Sequence, residues 1–260
     1  MSAWETLGVQ SDAGVLHVTL NRPEVRNAMS LVMVRELQQV LADASSDNQT
    51  RVLVLRGAGG HFCAGGDLKD MAAARMNDAI AQVNAAFGEL CVAYAHAPLA
   101  LVAVVEGTVM GGGFGLSCVA DVVLAGDTAQ FRLPETSLGV VPAQVAPFLV
   151  ERLGYSEAKR LAVTGARLDA QAALSLRLVH SVHASADLDA ALTKVLKDIL
   201  QCAPGALAAT KALMAKARYT PAADLVQYAA DVFARAVTGP EGVEGTTAFL
   251  QKRKPTWAPQ

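Results

Sequence analysis

Two glycine-rich segments carry the residue types and spacing on which chemistry could be built. The first reads His61-Phe-Cys-Ala-Gly-Gly-Asp67 and the second Val105-Glu-Gly-Thr-Val-Met-Gly-Gly-Gly-Phe-Gly115. Each follows an apolar run of strand character, and the second leads into a short helical stretch ending at Ala120. Neither is a phosphate loop of the usual kinds: no G-K-[ST] is present, and the second lacks the last glycine of G-x-G-x-x-G. Glycine-rich loops do offer close backbone approach and N–H groups presented at a helix N-terminus. Either segment alone reads as packing glycines between crowded elements. The two together, in this order, point to loops that face each other and hold one oxyanion between their amides. Loss of one donor from such a hole typically raises a barrier by about 3 kcal/mol.

Other chemistries find less support. Ser117 lies in Gly115-Leu-Ser-Cys118, which is not the G-x-S-x-G of a serine hydrolase. Cys63, Cys91, Cys118 and Cys202 are widely spaced, with no C-x-x-C and no histidine pair at metal spacing. They read as reduced, buried thiols, and no metal is expected. Of the five histidines, His180 and His183 follow a predicted strand without a third partner, and capping or surface roles are expected. Asp121 is expected to be structural. A net charge of −2 without a basic stripe argues against nucleic acid. The N-terminus has no basic start followed by an apolar run, and no apolar stretch is long enough for a bilayer, so a cytoplasmic protein is expected.

The elements that must position the two loops follow from periodicity. Residues 15–20, 52–55, 99–105, 122–125 and 178–182 read as strands. Ser30 reads as an N-cap, followed by Met33, Leu37, Val40, Leu41 and Ala44 at helical spacing. Ile80, Val83, Phe87, Leu90, Cys91 and Tyr94 form a second helical face, closed by Pro98. Strands alternating with helices predict a largely parallel α/β arrangement. Hydrophobic residues at 52% against 5% aromatics favour tightly packed helices on a sheet over an all-β sandwich. Beyond residue 143 helical segments dominate: 143–153, 156–163, 169–176, 188–201, 204–217, 221–236 and 244–253. A soft boundary is expected after residue 195, dividing a core over 1–195 from a helical unit over 196–260.

Six segments, in order, make the chain recognisable. They are Leu20-Asn-Arg-Pro-Glu-Val-Arg-Asn-Ala-Met29, Phe62-Cys-Ala-Gly-Gly-Asp-Leu-Lys69, Gly107 with Gly111-Gly-Gly-Phe-Gly-Leu116, Phe131-Arg-Leu-Pro-Glu-Thr-Ser-Leu-Gly139, Leu161-Ala-Val-Thr-Gly165 and Phe249-Leu-Gln-Lys-Arg-Lys-Pro255. Over nearly its whole length the sequence resembles the crotonase (enoyl-CoA hydratase/isomerase) superfamily. The resemblance implies an α/β spiral of ββα units with a C-terminal helical unit, assembled as a homotrimer or a dimer of trimers. It implies an acyl-CoA substrate and no separate cofactor, coenzyme A being part of the substrate. By position, the oxyanion-hole amides would be those of Ala64 and Gly112, with Gly66, Asp67 and Leu68 flanking the acyl-CoA pocket. Arg26, Phe249 and Lys252 would touch coenzyme A, although solvation alone would equally explain Arg26 and Lys252. Glu135 would be the acid/base.

The pattern also departs from the two-glutamate hydratases. Where those have G-G-G-x-E, this chain reads Gly111-Gly-Gly-Phe-Gly115. After the glutamate motif stands Val141-Pro-Ala-Gln-Val-Ala-Pro-Phe-Leu149, where the family frequently has Pro-Gly-x-Gly-Gly-Thr. Both features look like the bacterial hydratases of branched glutaconyl thioesters, the 3-methylglutaconyl-CoA and isohexenylglutaconyl-CoA enzymes of leucine and acyclic terpene breakdown. The stretch from Gly66 to Arg75 leans toward the isohexenyl type. A substrate with its own carboxylate would repel a second buried glutamate, so Gly115 is expected to relieve crowding and make room. Arg132 and Arg75 are both candidates for the counter-charge. A Δ3-Δ2 enoyl-CoA isomerase and a non-catalytic acyl-CoA binding protein are the competing readings.

Overall fold

A computed structural model describes residues 4–47, 49–76 and 79–259, without the side chains of residues 74–76. Strands β1 (Leu7–Asp12) and β2 (Val15–Leu20) form an antiparallel hairpin, and helix α1 (Leu31–Ser46) returns the chain to β3 (Val52–Gly57), parallel to β2. Helices α2 (Leu68–Met76) and α3 (Ile80–Ala95) lead to β4 (Ala100–Val105). Two three-residue strands, β5 (Thr108–Met110) and β7 (Gln130–Arg132), lie on either side of α4 (Gly112–Val119) and β6 (Val122–Gly126). A kinked helix α5 (Ala146–Thr164), β8 (Arg167–Asp169), α6 (Ala170–Ser175), β9 (Ser181–His183) and α7 (Leu188–Leu200) complete the core. Three further helices follow, α8 (Pro204–Ala217), α9 (Ala222–Thr238) and α10 (Pro240–Leu250).

The main sheet runs β1-β2-β3-β4-β6-β9, parallel apart from the first pair, and a smaller sheet runs β5-β7-β8. After β4 and again after β6 the chain steps from the main sheet into the small one, which makes the turns of a spiral. Strands covered on both faces read as unbroken apolar runs. Leu53, Leu55, Leu101, Ala103 and Val105 pack on the α1/α3/α4 side, while Val52, Val54, Ala100, Val102 and Val104 pack against Leu188, Leu192 and Leu200 of α7. The period of two along β3 and β4 thus serves two cores at once.

Most expected elements are present. Ser30 Oγ accepts from the Met33 N–H at 3.1 Å, and the α1 face buries Met33, Leu37, Val40, Leu41 and Ala44. The two helices expected at 143–153 and 156–163 both lie within Ala146–Thr164, divided at Gly154, whose φ of +73° and ψ of 159° are not helical. The strand expected at 178–182 is shorter and later, at Ser181–His183. The boundary expected after residue 195 falls inside α7, which is continuous and packs on the main sheet, and Leu207 of α8 packs against the same cluster. Cys63, Cys91 and Cys118 are buried, but Cys202 is exposed, just past the end of α7, contrary to the expectation of four buried thiols. Asp121 is structural: its carboxylate accepts from the Leu101 N–H at 2.8 Å and pairs with Lys211 of α8. Among the described residues no helix is long and apolar enough to cross a membrane, and no three His, Cys, Asp or Glu side chains gather as metal ligands.

The loop between β2 and α1 is held by an asparagine for which no role was expected. Asn27 is fully buried in a left-handed conformation (φ +56°). Its side-chain nitrogen donates to the carbonyls of Ala58 (2.9 Å) and His61 (2.7 Å), and its oxygen accepts from the Arg22 N–H (2.9 Å). Asn27→Ala leaves three part-buried backbone groups without this partner and puts a Cβ residue without a local hydrogen bond at positive φ. A loss of about 3 kcal/mol in unfolding free energy is expected, measured by urea denaturation with an unchanged m-value.

Candidate functional site

The two glycine loops meet backbone to backbone. Cys63 bridges Val109 of β5, the Cys63 N–H donating to the Thr108 carbonyl and the Met110 N–H to the Cys63 carbonyl, both at 2.9 Å. A Cβ on Gly113 would stand 2.6 Å from the Cys63 carbonyl oxygen, and one on Gly111 would stand 3.5 Å from the Gly65 Cα. Gly65 (φ +102°) and Gly111 (φ +49°, ψ −117°) also take conformations closed to residues with side chains. The expectation that the loops face each other therefore holds in the geometry.

At this joint α4 begins. The N–H groups of its first turn have no intrahelical acceptor, and no backbone bond of the described residues uses the Gly112 amide, although the next helical bond, Gly115 N–H to the Gly111 carbonyl, is in place at 3.0 Å. The Ala64 amide differs: it donates to the carbonyl of Arg26 at 3.0 Å. Arg26 is itself left-handed (φ +51°), fixed by the Asn27 hydrogen bonds, and this aims its carbonyl at Ala64. The structure thus presents one open amide and one already satisfied.

Glu135 opens a short 3-10 turn, Glu135–Leu138, directly after β7. Its Oε1 lies 3.0 Å from where a Cβ of Gly111 would sit, so it occupies the space that this glycine leaves free. Its Oε2 is buried without a hydrogen-bond partner. Burial pushes the Glu135 carboxyl above its ordinary value of 4.5, opposed by a backbone hydrogen bond at its own residue. A half-buried carboxyl of raised pKa beside an open helix amide is suited to exchanging a proton with a bound reactant.

The other expected residues divide. Asp67 is buried, pairs with Arg22 at 2.8 Å and caps α2 through the Lys69 N–H at 2.8 Å. Burial works against its ionisation, but the bonds from Arg22, Lys69 and Asp70 hold its pKa below the ordinary value. Arg22 also donates to the Ala28 carbonyl at 2.7 Å, so this pair ties the Arg26 loop to the Ala64 loop rather than offering a free charge to a ligand. Gly66 and Leu68 are exposed at the rim, Leu68 at 67%. The Arg26 side chain is exposed. Phe249, in the last turn of α10 and 83% exposed, and Lys252, just past its end, stand on the surface.

Arg132 donates from its Nε to the Gly165 carbonyl at 3.0 Å, just past the end of α5; the side chain of Arg75 lies outside the described residues. Gly115 does not open room. A Cβ there would meet Val145 Cγ2 at 3.0 Å, Val145 Cγ1 at 3.3 Å and Phe87 Cζ at 3.5 Å. Phe87 Cζ also stands 3.2 Å from where a Cβ of Gly112 would sit, and the Met29 methyl is closer still. Met29, Phe87 and Val145 thus join the site unannounced, although the helical spacing did place Phe87 on an inward face.

The raised pKa of Glu135 has a sign that can be tested. A carboxyl raised in the folded state favours its neutral form there, so the stability it brings is present at low pH and lost as pH rises through the folded pKa. Glu135→Gln removes that loss. Its melting temperature is expected to exceed that of the unaltered protein at pH 7, with the gap closing below pH 4.5, read by calorimetry at both pH values.

Comparisons with known proteins show the family of the chain. The profile of the enoyl-CoA hydratase/isomerase family matches residues 10–260. The probable enoyl-CoA hydratase echA8 of Mycobacterium bovis is 31% identical over 254 residues, 97% of each chain. The enoyl-CoA hydratase ACTT6 of Alternaria alternata is 32% identical over 93% of this chain and 80% of its own. Among solved structures, AtuE of Pseudomonas aeruginosa superposes with a TM-score of 0.96 at 55% identity, covering 98% of this chain and 100% of its own. An enoyl-CoA hydratase/isomerase from Marinobacter aquaeolei does so at 0.95 and 49%, with the same coverage. The chain belongs to the enoyl-CoA hydratase/isomerase family.

Proposed function

We propose that the protein adds water across the double bond of an α,β-unsaturated acyl-CoA, with Glu135 as its single acid/base and a branched glutaconyl thioester as its substrate. The observation that carries the reading is the Glu135 carboxyl at the joint of the two loops, Oε1 beside Gly111 and Oε2 buried without a partner. The thioester oxygen accepts from the Gly112 amide and, by sharing or displacing the Arg26 carbonyl, from the Ala64 amide. As hydroxide adds at the β-carbon, charge moves onto that oxygen, where fixed donors stabilise it without reorganising. Glu135 takes the proton of the incoming water and returns a proton at the α-carbon, so that the sum is one water added. No metal or redox group is needed for these steps.

The branched substrate rests on the glycine at 115 and the Pro142-Ala143 pattern after the glutamate motif. One glutamate fewer at the site removes like-charge repulsion toward a substrate that brings a carboxylate of its own. A lone glutamate also suits proton transfer between α- and γ-carbons, and the product separates the two chemistries: hydration alone yields a 3-hydroxyacyl thioester. Assembly as a homotrimer or a dimer of trimers belongs to the same proposal. Helix α9 buries none of its residues within the chain, and Phe233 at its middle is 69% exposed.

With 3-methylglutaconyl-CoA, isohexenylglutaconyl-CoA and crotonyl-CoA offered in turn, mass spectrometry is expected to show the 3-hydroxyacyl product most rapidly from a branched glutaconyl thioester. Glu135→Gln lowers that rate about 10²–10⁴-fold. The rate rises with pH through an apparent pKa above 4.5, the direction that burial imposes on Glu135. No 3-hydroxy product from any of the three would overturn the hydratase. Light scattering is expected to give a mass at a multiple of three chains, and Phe233→Glu to lower it; a monomeric unaltered protein refutes the assembly.

A further inference from the structure

The first turn of α4 is bare on one side, because Gly112 and Gly115 are three residues apart and share a helix face. Three side chains from three different segments cover that side. Met29 comes from the loop before α1, Phe87 from the middle of α3, and Val145 from the residue that precedes α5. The Phe87 ring reaches both glycines through the same atom: Cζ lies 3.2 Å from a Cβ on Gly112 and 3.5 Å from one on Gly115. Val145 and Met29 are almost wholly buried, at 4% and 6% exposure, whereas Phe87 keeps part of its surface open. The two buried residues therefore act as props, and Phe87 is the one that presents a face beside the Gly112 amide.

We infer that Phe87, held in place by Val145 and Met29, is the residue that selects the acyl portion of the substrate. This rests on the reading that a thioester oxygen binds at Gly112. With the oxygen there, the acyl carbons lie between the carboxyl packed on Gly111 and the ring packed on Gly112. A β-carbon carrying an alkyl branch removes that branch from water against the ring, and a straight short chain does not. Val145 takes up the space next to Gly115, so the ring cannot retreat toward α4. The fit is set by the ring position, and the residue after which the loop was recognised, Gly115, matters because it lets Val145 and Phe87 come close. Phe87 is a specificity residue and moves no proton.

The experiment compares kcat/KM for 3-methylglutaconyl-CoA with that for crotonyl-CoA. Phe87→Ala is expected to lower the ratio of branched to straight by about tenfold, the scale of an apolar contact of one or two carbons. Phe87→Leu, which keeps α3 packed should the alanine variant not fold, lowers it less. Gly115→Ala puts a methyl 3.0 Å from Val145 Cγ2 and, by pushing Val145 and the ring, lowers the ratio as well. Adding Val145→Ala to Gly115→Ala removes the push and restores the ratio toward that of Val145→Ala alone. A ratio unmoved by both Phe87 variants, or a Gly115→Ala loss that persists undiminished in the double variant, overturns the inference while leaving the hydratase standing. Hydration of neither thioester by the unaltered protein removes the reading of the reaction, and the inference with it.

Discussion

Everything at the site depends on a contact between two stretches of bare backbone. The loop through Cys63 and Gly65 lies against the loop through Met110 and Gly113, at distances where a side chain would stand inside a carbonyl oxygen. Interiors are packed to crystal-like density, so such a contact cannot be adjusted by a few tenths of an ångström without moving its neighbours. Omitting side chains at Gly65, Gly111 and Gly113 allows the approach, and the Cys63–Val109 bridge locks its register. The open turn of α4, the position of Glu135 over Gly111 and the line of the Phe87 ring all follow from that one approach.

The electrostatic arrangement follows in turn. Two ion pairs brace the elements around the loops and the main sheet: Arg22 with Asp67 and Lys211 with Asp121. Glu135 lies with Oε1 against Gly111 and Oε2 without a partner, and burial raises its pKa.

How much of this was legible before folding depends on periodicity and local chemistry. Long elements with strong patterns, such as α1 with its Ser30 cap and the unbroken run of β4, were readable because many residues repeat the same signal. The strands β5, β7 and β8 were not, since three residues carry no period, and β1 was missed for its polar alternation of Gln10, Ser11 and Asp12. The helix α2 was missed because its apolar residues fall on no single face. At the site, Glu135 and the glycine loops stood out through family-specific motifs, but Asn27 did not: its role depends on carbonyls 31 and 34 residues away. The state of the Ala64 amide was hidden for the same reason, because its acceptor, the Arg26 carbonyl, is aimed by two consecutive left-handed residues.

Gly115 shows where reading a sequence by subtraction goes astray. A missing glutamate suggests an empty place, and an empty place suggests a larger substrate. But a void the size of a carboxylate side chain inside a packed core costs about 24 cal/mol for each Å³ left unfilled, so a stable chain does not keep it. The neighbours move in, here Val145 from the start of α5 and Phe87 from α3, residues 30 positions later and 28 earlier in the chain. What the substitution changes is therefore the chemical character of the place more than its volume: a polar, ionisable group gives way to methyls and a ring edge. The single remaining carboxylate and the apolar wall are two results of one change, and a substrate must satisfy both.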